Sequence, residues 1–284
     1  MQVGLLLEGG GMRAMFTAGI LDCFMEEGFT FSYAVGSSSG GLNVMNYLSG
    51  QKGRSRSLME RPKGDNYCGK EELFRSGKFL NLEKMYGTYM YREDVRFDFD
   101  AYFASPTKAE YVVSNCHTGL PEYLSEESDE KRLLEIGKAS CSLPFVCGTT
   151  KLDGKVYMDG SMTDPIPLQH CFDVGCDRVL MISTKGEGME PSNIGKWSFF
   201  MRLLYGKKCK PFIKACKERL PLYYEQWNFV YEQEKAGNVY LMHPQGAVAI
   251  GHLETDQTKL LALYEEGYAY AKEHLEEIKA FLGA

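Results

Sequence analysis

Two glycine-rich pieces, each caught between an apolar strand-like run and a helix-like pattern, constrain this 284-residue chain more than any other feature. The first is Glu8-Gly9-Gly10-Gly11-Met12-Arg13, the second Gly36-Ser37-Ser38-Ser39-Gly40. Residues 3–7 are continuously apolar and end at glycines, the pattern of a strand covered on both faces in a parallel sheet. From Met12 the apolar period turns helical through Ala14, Ala18, Leu21, Phe24 and Met25, and Gly28 supplies the stop. Residues 31–35 predict a second buried strand, and Leu42, Met45 and Leu48 a second helix ending near Gly50. This β-α-β-α opening predicts an α/β layered fold.

Further along, residues 51–70 are polar and rich in Gly, Lys and Arg, so they read as a long loop. Residues 71–92 read as short helices, 110–116 as a third strand, and 129–140 as a helix with Leu133, Leu134 and Ile136 on its apolar side. A hairpin is expected over 151–158 around Asp153-Gly154, a dipeptide suited to two-residue turns. Residues 178–183 and 239–242 read as strands, and 255–281 as one long helix. No repeat or linker divides the chain, which predicts a single domain over 1–284. Its chemistry-bearing motifs lie within 2–185, followed over 186–284 by a helical C-terminal part that serves as lid or specificity region.

The second glycine piece spells G-x-S-x-G, a strand-turn-helix elbow that pushes a serine hydroxyl into a crevice while the flanking glycines relieve crowding. Gly36 and Gly40 stand two residues either side of Ser38, so this register makes Ser38 the nucleophile; Ser37 or Ser39 would lose a flanking glycine. The bland alternative is a small-residue turn packing a helix closely on a strand. The first piece stacks backbone N–H groups at a helix start, where developing negative charge can be held. It is neither a complete dinucleotide fingerprint, since Ala14 stands where the last glycine belongs, nor a P-loop, since it lacks the Lys-Ser/Thr ending. Arg13 would oppose the dipole of the helix it opens unless an anion lies nearby; an outward-pointing surface Arg is the alternative. Together the pieces read as nucleophile plus oxyanion hole, hence as acyl transfer.

The base is open on the residues alone. His117, His170, His243 and His252 lie in or beside loops, and His274 falls inside the last helical pattern. Asp159 is the rival, because it follows an apolar strand and precedes Gly160. An aspartate is a weak base and needs a low-dielectric site to raise its pKa.

With Gly9-Gly10-Gly11-Met12-Arg13, Gly36-Ser37-Ser38-Ser39-Gly40 and Asp159-Gly160-Ser161 in that order, the sequence resembles the patatin-like phospholipase family. The stretches 138–145 and 159–167 also look like that family's run into and out of its aspartate. The resemblance covers roughly residues 2–185. It implies a layered sandwich with a mostly parallel sheet flanked by helices, a Ser38–Asp159 dyad, and an oxyanion hole from Gly9, Gly10, Gly11 and Arg13. It also implies no metal, no cofactor and no histidine in the reaction, with a lipid or phospholipid ester as substrate. Two positions depart from the pattern. Ala14 replaces a glycine after the Arg, and Ser161 replaces the second glycine of D-G-G, where it can alter how closely the backbone approaches Ser38.

Two other functions remain beside this one. An α/β-hydrolase with a Ser-Asp-His triad shares the elbow, but places several strands before the nucleophile where this chain has two. A non-catalytic anion- or nucleotide-binding module would use the glycine loop alone. A net charge of −6 gives no global reason to expect nucleic acid. Nine cysteines, an odd number and without C-x-x-C, fit reduced thiols in a cytoplasmic protein. Residues 196–219 hold eight Lys/Arg and one acid, Glu218, beside the aromatic run 197–205. That segment reads either as a lid or interfacial element meeting an anionic membrane as a peripheral protein, or as a core helix with a solvated basic edge.

Overall fold

The computed structural model describes residues 1–62, 65, 67–186, 192–246 and 250–283. Eight strands form one sheet: β1 (Val3–Leu7), β2 (Tyr33–Ser37), β3 (Lys108–Asn115), β4 (Pro121–Leu124), β5 (Thr150–Leu152), β6 (Lys155–Asp159), β7 (Arg178–Ile182) and β8 (Val239–Met242). Their order is β5-β6-β3-β2-β1-β7-β8, with β4 also paired to β3. The five strands from β3 to β8 run parallel, whereas β4, β5 and β6 join antiparallel.

The helices of the first half are α1 (Met15–Glu27), α2 (Ser39–Leu48), α3 (Arg54–Met59), α4 (Lys70–Ser76), α5 (Tyr89–Tyr91) and α6 (Phe99–Ala104). Those of the second half are α7 (Glu130–Ser140), α8 (Leu168–Asp173), α9 (Ser198–Tyr205), α10 (Lys210–Lys235), α11 (Gln257–Glu273) and α12 (Leu275–Leu282).

Strand alternation builds the layers. Leu5 and Leu7 of β1, Ala34 of β2, and Leu180 and Ile182 of β7 enter one core with α1, α2, α7 and α11. Leu6, Tyr33, Val35, Val179 and Met181 face the other, with α8 and Tyr223 and Val230 of α10. A sheet apolar on both faces must be covered on both, which makes the sandwich.

Three readings of the sequence need correction. The segment 51–70 is not one loop, because α3 occupies its middle; residues 63, 64 and 66 of it lie outside the described residues. Arg54 is buried there, donating to the Val95 carbonyl (3.0 Å) and to Asn46 Oδ1 (2.6 Å), so a basic residue sits on an inward face. The closing helix is broken into α11 and α12 at His274, whose Nδ1 lies 2.9 Å from the Tyr270 carbonyl while its ring stacks on Tyr270. Lastly, α9 is no core helix: Met201 is its only buried residue. The sequence reading also passed over β4 and the 26-residue α10.

Candidate active site

β1 and β2 are parallel neighbours with Leu7 opposite Gly36, so the glycine loop and the elbow leave the same end of adjacent strands. The strand order reverses around β1, and the crevice outside such carboxyl ends is where open α/β sheets place their sites. β3 continues the edge, with Val112 opposite Ser37 and Val113 opposite Asp159, the last residue of β6. A local rule (glycines after strands) and a long-range pairing (β3 with β6) thus bring the three motifs together.

Ser38 sits at φ 54°, ψ −130°, a strained conformation for a residue with a Cβ. The strain is held by neighbours. Its N–H donates to Ser140 Oγ (3.0 Å), which in turn donates to the Val112 carbonyl (2.8 Å). A Cβ on Gly36 would come within 2.5 Å of the Gly40 carbonyl carbon, and one on Gly40 would run into the Leu7 carbonyl oxygen. Both glycines are therefore required by close backbone approach.

The Asp159 carboxyl is fully buried. Its Oδ1 accepts from the Ser161 N–H (2.9 Å) and Ser161 hydroxyl (2.6 Å), while Oδ2 has no hydrogen-bond partner among the described residues. Burial pushes the carboxyl above the ordinary aspartate value, opposed by Ser161, by the Ser38 hydroxyl and by the charge of Arg219. Ser161, the departure noted in the sequence, thus anchors one carboxylate oxygen and leaves the other unclaimed. The Cys141 thiol, held at 3.2 Å from Tyr86 Oη, also interacts with the Ser38 hydroxyl, and burial raises its pKa so that it stays protonated.

The glycine loop is fixed from several sides. Thr184 Oγ1 donates to the Gly9 carbonyl (3.0 Å), the Met12 N–H donates to the His252 carbonyl (3.0 Å), and Asn43 donates to the Ala14 carbonyl (2.9 Å). Gly11 takes φ +60°, and a Cβ there would strike the His252 carbonyl oxygen. The Gly10 N–H donates to Ser39 Oγ at 3.0 Å, so this donor already has an acceptor.

Beneath the loop lies a buried charge cluster. Glu8 accepts from Ser183 Oγ (2.6 Å), the Thr184 N–H (3.0 Å) and Tyr223 Oη (2.7 Å), with Lys185 Nζ at 3.5 Å. Burial alone would raise its carboxyl; Lys185 and these hydrogen bonds outweigh burial and hold it below the ordinary value. Lys185 is pushed down to about 8 by burial, reinforced by Arg219 and Arg13. Arg13 is buried rather than on the surface, and the anion acting on it is Glu8. Arg13 Nη2 lies 2.9 Å from His252 Nε2.

Of the histidines, His170 pairs with Glu110 (2.6 Å) and stacks on Tyr123; His243 and His274 contact backbone carbonyls. None of the five hydrogen-bonds Ser38 or Asp159 among the described residues. Sequence reasoning gave no role to Ser140, Cys141, Thr184 or Arg219. The first two lie in the stretch that carried the resemblance, which was their signal; Thr184 and Arg219 had none.

A family model described as patatin-like phospholipase matches residues 5–172, more than half of the chain. The chain belongs to the patatin-like phospholipase family. A second model, a domain of unknown function (DUF6363), matches residues 209–283 of this patatin-like protein. The uncharacterized protein YjjU of Escherichia coli K12 is 28% identical over 193 residues, covering 64% of this chain and 52% of its own. Lysophospholipase nte1 of Aspergillus oryzae is 20% identical over 298 residues, covering 98% of this chain and 18% of its own. The chain therefore spans about half of the first relative and under a fifth of the second. Among solved structures, VipD from Legionella pneumophila matches with a TM-score of 0.47 and 11% identity over 97% of this chain and 67% of that one. No helix among the described residues is long and apolar enough to cross a membrane.

Proposed function

We propose that this patatin-like protein is a serine acyl hydrolase of lipid esters, of phospholipase A type, in which Ser38 attacks and Asp159 is the base. One observation carries the reading: a fully buried carboxyl, one oxygen anchored by Ser161 and the other unclaimed, that feels the hydroxyl of a strained elbow serine. Burial raises the proton affinity of Asp159, which is what a carboxylate base needs.

Asp159 takes the Ser38 proton as Oγ attacks the ester carbonyl, and the glycine-loop N–H groups hold the oxyanion. Collapse of the intermediate expels the alcohol, which takes its proton from Asp159. Water, deprotonated by Asp159, then attacks the acyl carbonyl; the bond to Ser38 Oγ breaks, Oγ takes the proton back from Asp159, and the free acid leaves. For Gly10 to join the oxyanion hole it must exchange Ser39 Oγ for the oxyanion; one such donor contributes ~3 kcal/mol in the transition state. Arg13 supports the loop from below by pairing with His252 and feeling Glu8, and no step is asked of it. The family and the relatives named lysophospholipase support a lipid substrate, which a peripheral protein would meet at a membrane surface. Nine free thiols support the cytoplasm as its compartment.

The test is fluorophosphonate labelling together with Ser38→Ala and Asp159→Asn assayed on a short-chain nitrophenyl ester. Label on Ser38 and loss of turnover in both variants are expected. Wild-type turnover in either variant would overturn the dyad.

A further inference from the structure

The 196–217 region carries a surface that the hydrolytic site does not use. Along α9 and the residue before it, Trp197 (55%), Phe199 (66%), Phe200 (51%), Leu203 (68%) and Leu204 (65%) lie largely in water. Singly exposed apolar residues are ordinary, but five within eight positions form a patch that something must cover. Seven exposed cations accompany it: Lys196, Arg202, Lys207, Lys208, Lys210, Lys214 and Lys217. Only Lys214 has a carboxylate within 4.0 Å among the described residues, on Glu218. In a chain of net charge −6, this is a local reversal of sign.

The patch is also wired to the site. Tyr205, at the end of α9, accepts the Phe145 N–H on its hydroxyl at 2.7 Å, and Phe145 packs edge-on against Trp197. Phe145 belongs to the segment after α7 whose Cys141 meets Ser38 and whose Ser142 carbonyl accepts the Asp159 N–H. On its inner side Met201 joins the buried cluster that also holds Met158 and Met162, which bracket Asp159 in sequence.

We infer that α9, with the lysines around it, is the face by which this protein settles on an anionic lipid bilayer. Trp and Phe side chains suit the headgroup–acyl boundary, leucines the hydrocarbon below it, and the cations the lipid phosphates. A second copy of the chain fits less well, since an isologous dimer would set this cationic patch against itself. The purpose of the contact, delivering a lipid to Ser38, rests on the hydrolase reading above; the binding itself does not.

Vesicle co-sedimentation decides it, using phosphatidylcholine alone and an equimolar mixture with phosphatidylglycerol. Wild type and Ser38→Ala are expected to bind the mixed vesicles alike, far better than phosphatidylcholine, and to release as salt rises. Phe199→Ser with Leu203→Ser, and separately Lys207→Glu with Lys208→Glu, should each lower partitioning at least about tenfold while keeping wild-type turnover of the soluble ester. These side chains are exposed, so the fold is untouched. Equal binding to both vesicle types, or variants that bind like wild type, would overturn the inference. So would no vesicle binding together with a dimer that Phe199→Ser and Leu203→Ser dissolve. Vesicle binding without soluble-ester turnover sinks the hydrolase reading and leaves this surface standing; the reverse result sinks the surface alone.

Discussion

Arg219 Nε donates to the Ser161 carbonyl oxygen across 2.6 Å, tying α10 to the turn that carries Asp159. The C-terminal part of the chain thereby reaches the base that the N-terminal motifs require. Its guanidinium is buried, and its charge is one of the influences that lower the Asp159 pKa against burial. Arg219→Gln removes that charge, so Asp159 binds its proton more tightly. The acidic limb of kcat/KM is expected to move to higher pH by roughly one pH unit. Arg219→Lys keeps the charge and should return the limb most of the way. An unchanged pH profile in Arg219→Gln would leave Arg219 a purely structural residue.

Ser140 holds the elbow through a relay, accepting the Ser38 N–H and donating to the Val112 carbonyl. Ser140→Ala leaves a buried N–H and a buried carbonyl without this partner, at about 1–3 kcal/mol. Because that N–H belongs to the strained residue, part of the loss should appear in kcat rather than KM. Stopped turnover and thermal melting of the same variant separate the two. A melting point lowered with kcat intact would show that the elbow keeps its geometry without Ser140.

What was legible in the sequence followed from local rules. The elbow and the loop each announce themselves by glycines after an apolar run, and the Asp153-Gly154 turn by its dipeptide; Asp153 and Gly154 indeed take φ 51° and 75°. The sandwich was readable because both faces of β1 and β2 are apolar. The Ser38–Asp159 pairing came from the family resemblance and not from local rules, since it depends on β3 pairing with both β2 and β6. α10 was hidden by its own composition. Pro221, a residue that usually ends a helix, stands inside it, and Arg219 occupies an inward position where the apolar period expects a hydrophobic residue. For α9 the sequence left lid and core helix open, and did not say that Phe199, Phe200, Leu203 and Leu204 lie exposed.

The crossing of α1 and α11 makes the C-terminal region part of the same core. A Cβ on Gly19 would strike the Tyr264 carbonyl oxygen, and one on Gly267 the Phe16 carbonyl oxygen. Backbone cannot retreat as a side chain does, so Gly19→Ala or Gly267→Ala should each destabilise by about 3 kcal/mol, near the top of the overpacking range. Helix propensity alone predicts the opposite sign, a gain of about 1 kcal/mol. Gly87→Ala, with nothing within 4 Å of the added Cβ, is the control and should be neutral or better. Urea denaturation of the three variants checks this. A single shifted transition would support one folding unit over 1–284, whereas two transitions would divide it.

Glu8 is the buried anion that balances Lys185, with Arg13 close by. Glu8→Gln is isosteric but leaves those cations without it, and removing one partner of a buried pair typically costs about 3–5 kcal/mol. At neutral pH a fall in melting temperature of roughly 10 °C is expected. The pH dependence gives the sharper check. Lys185 already has its pKa lowered to about 8, so between about 8 and its ordinary 10.5 the unfolded chain binds more protons than the folded one, and stability rises with pH. Without Glu8 the folded-state pKa of Lys185 falls further and that gain begins at lower pH. The deficit of Glu8→Gln relative to wild type should therefore be smaller at pH 9 than at pH 7. On the acid side Glu8, whose folded pKa is lowered, contributes stability above its unfolded value that is lost as pH falls through the folded one. Glu8→Gln should lack that loss. A deficit that stays constant from pH 4 to pH 9, an interval chosen to span roughly the Glu and Lys ranges, would mean that Glu8 acts by shape and hydrogen bonding rather than charge.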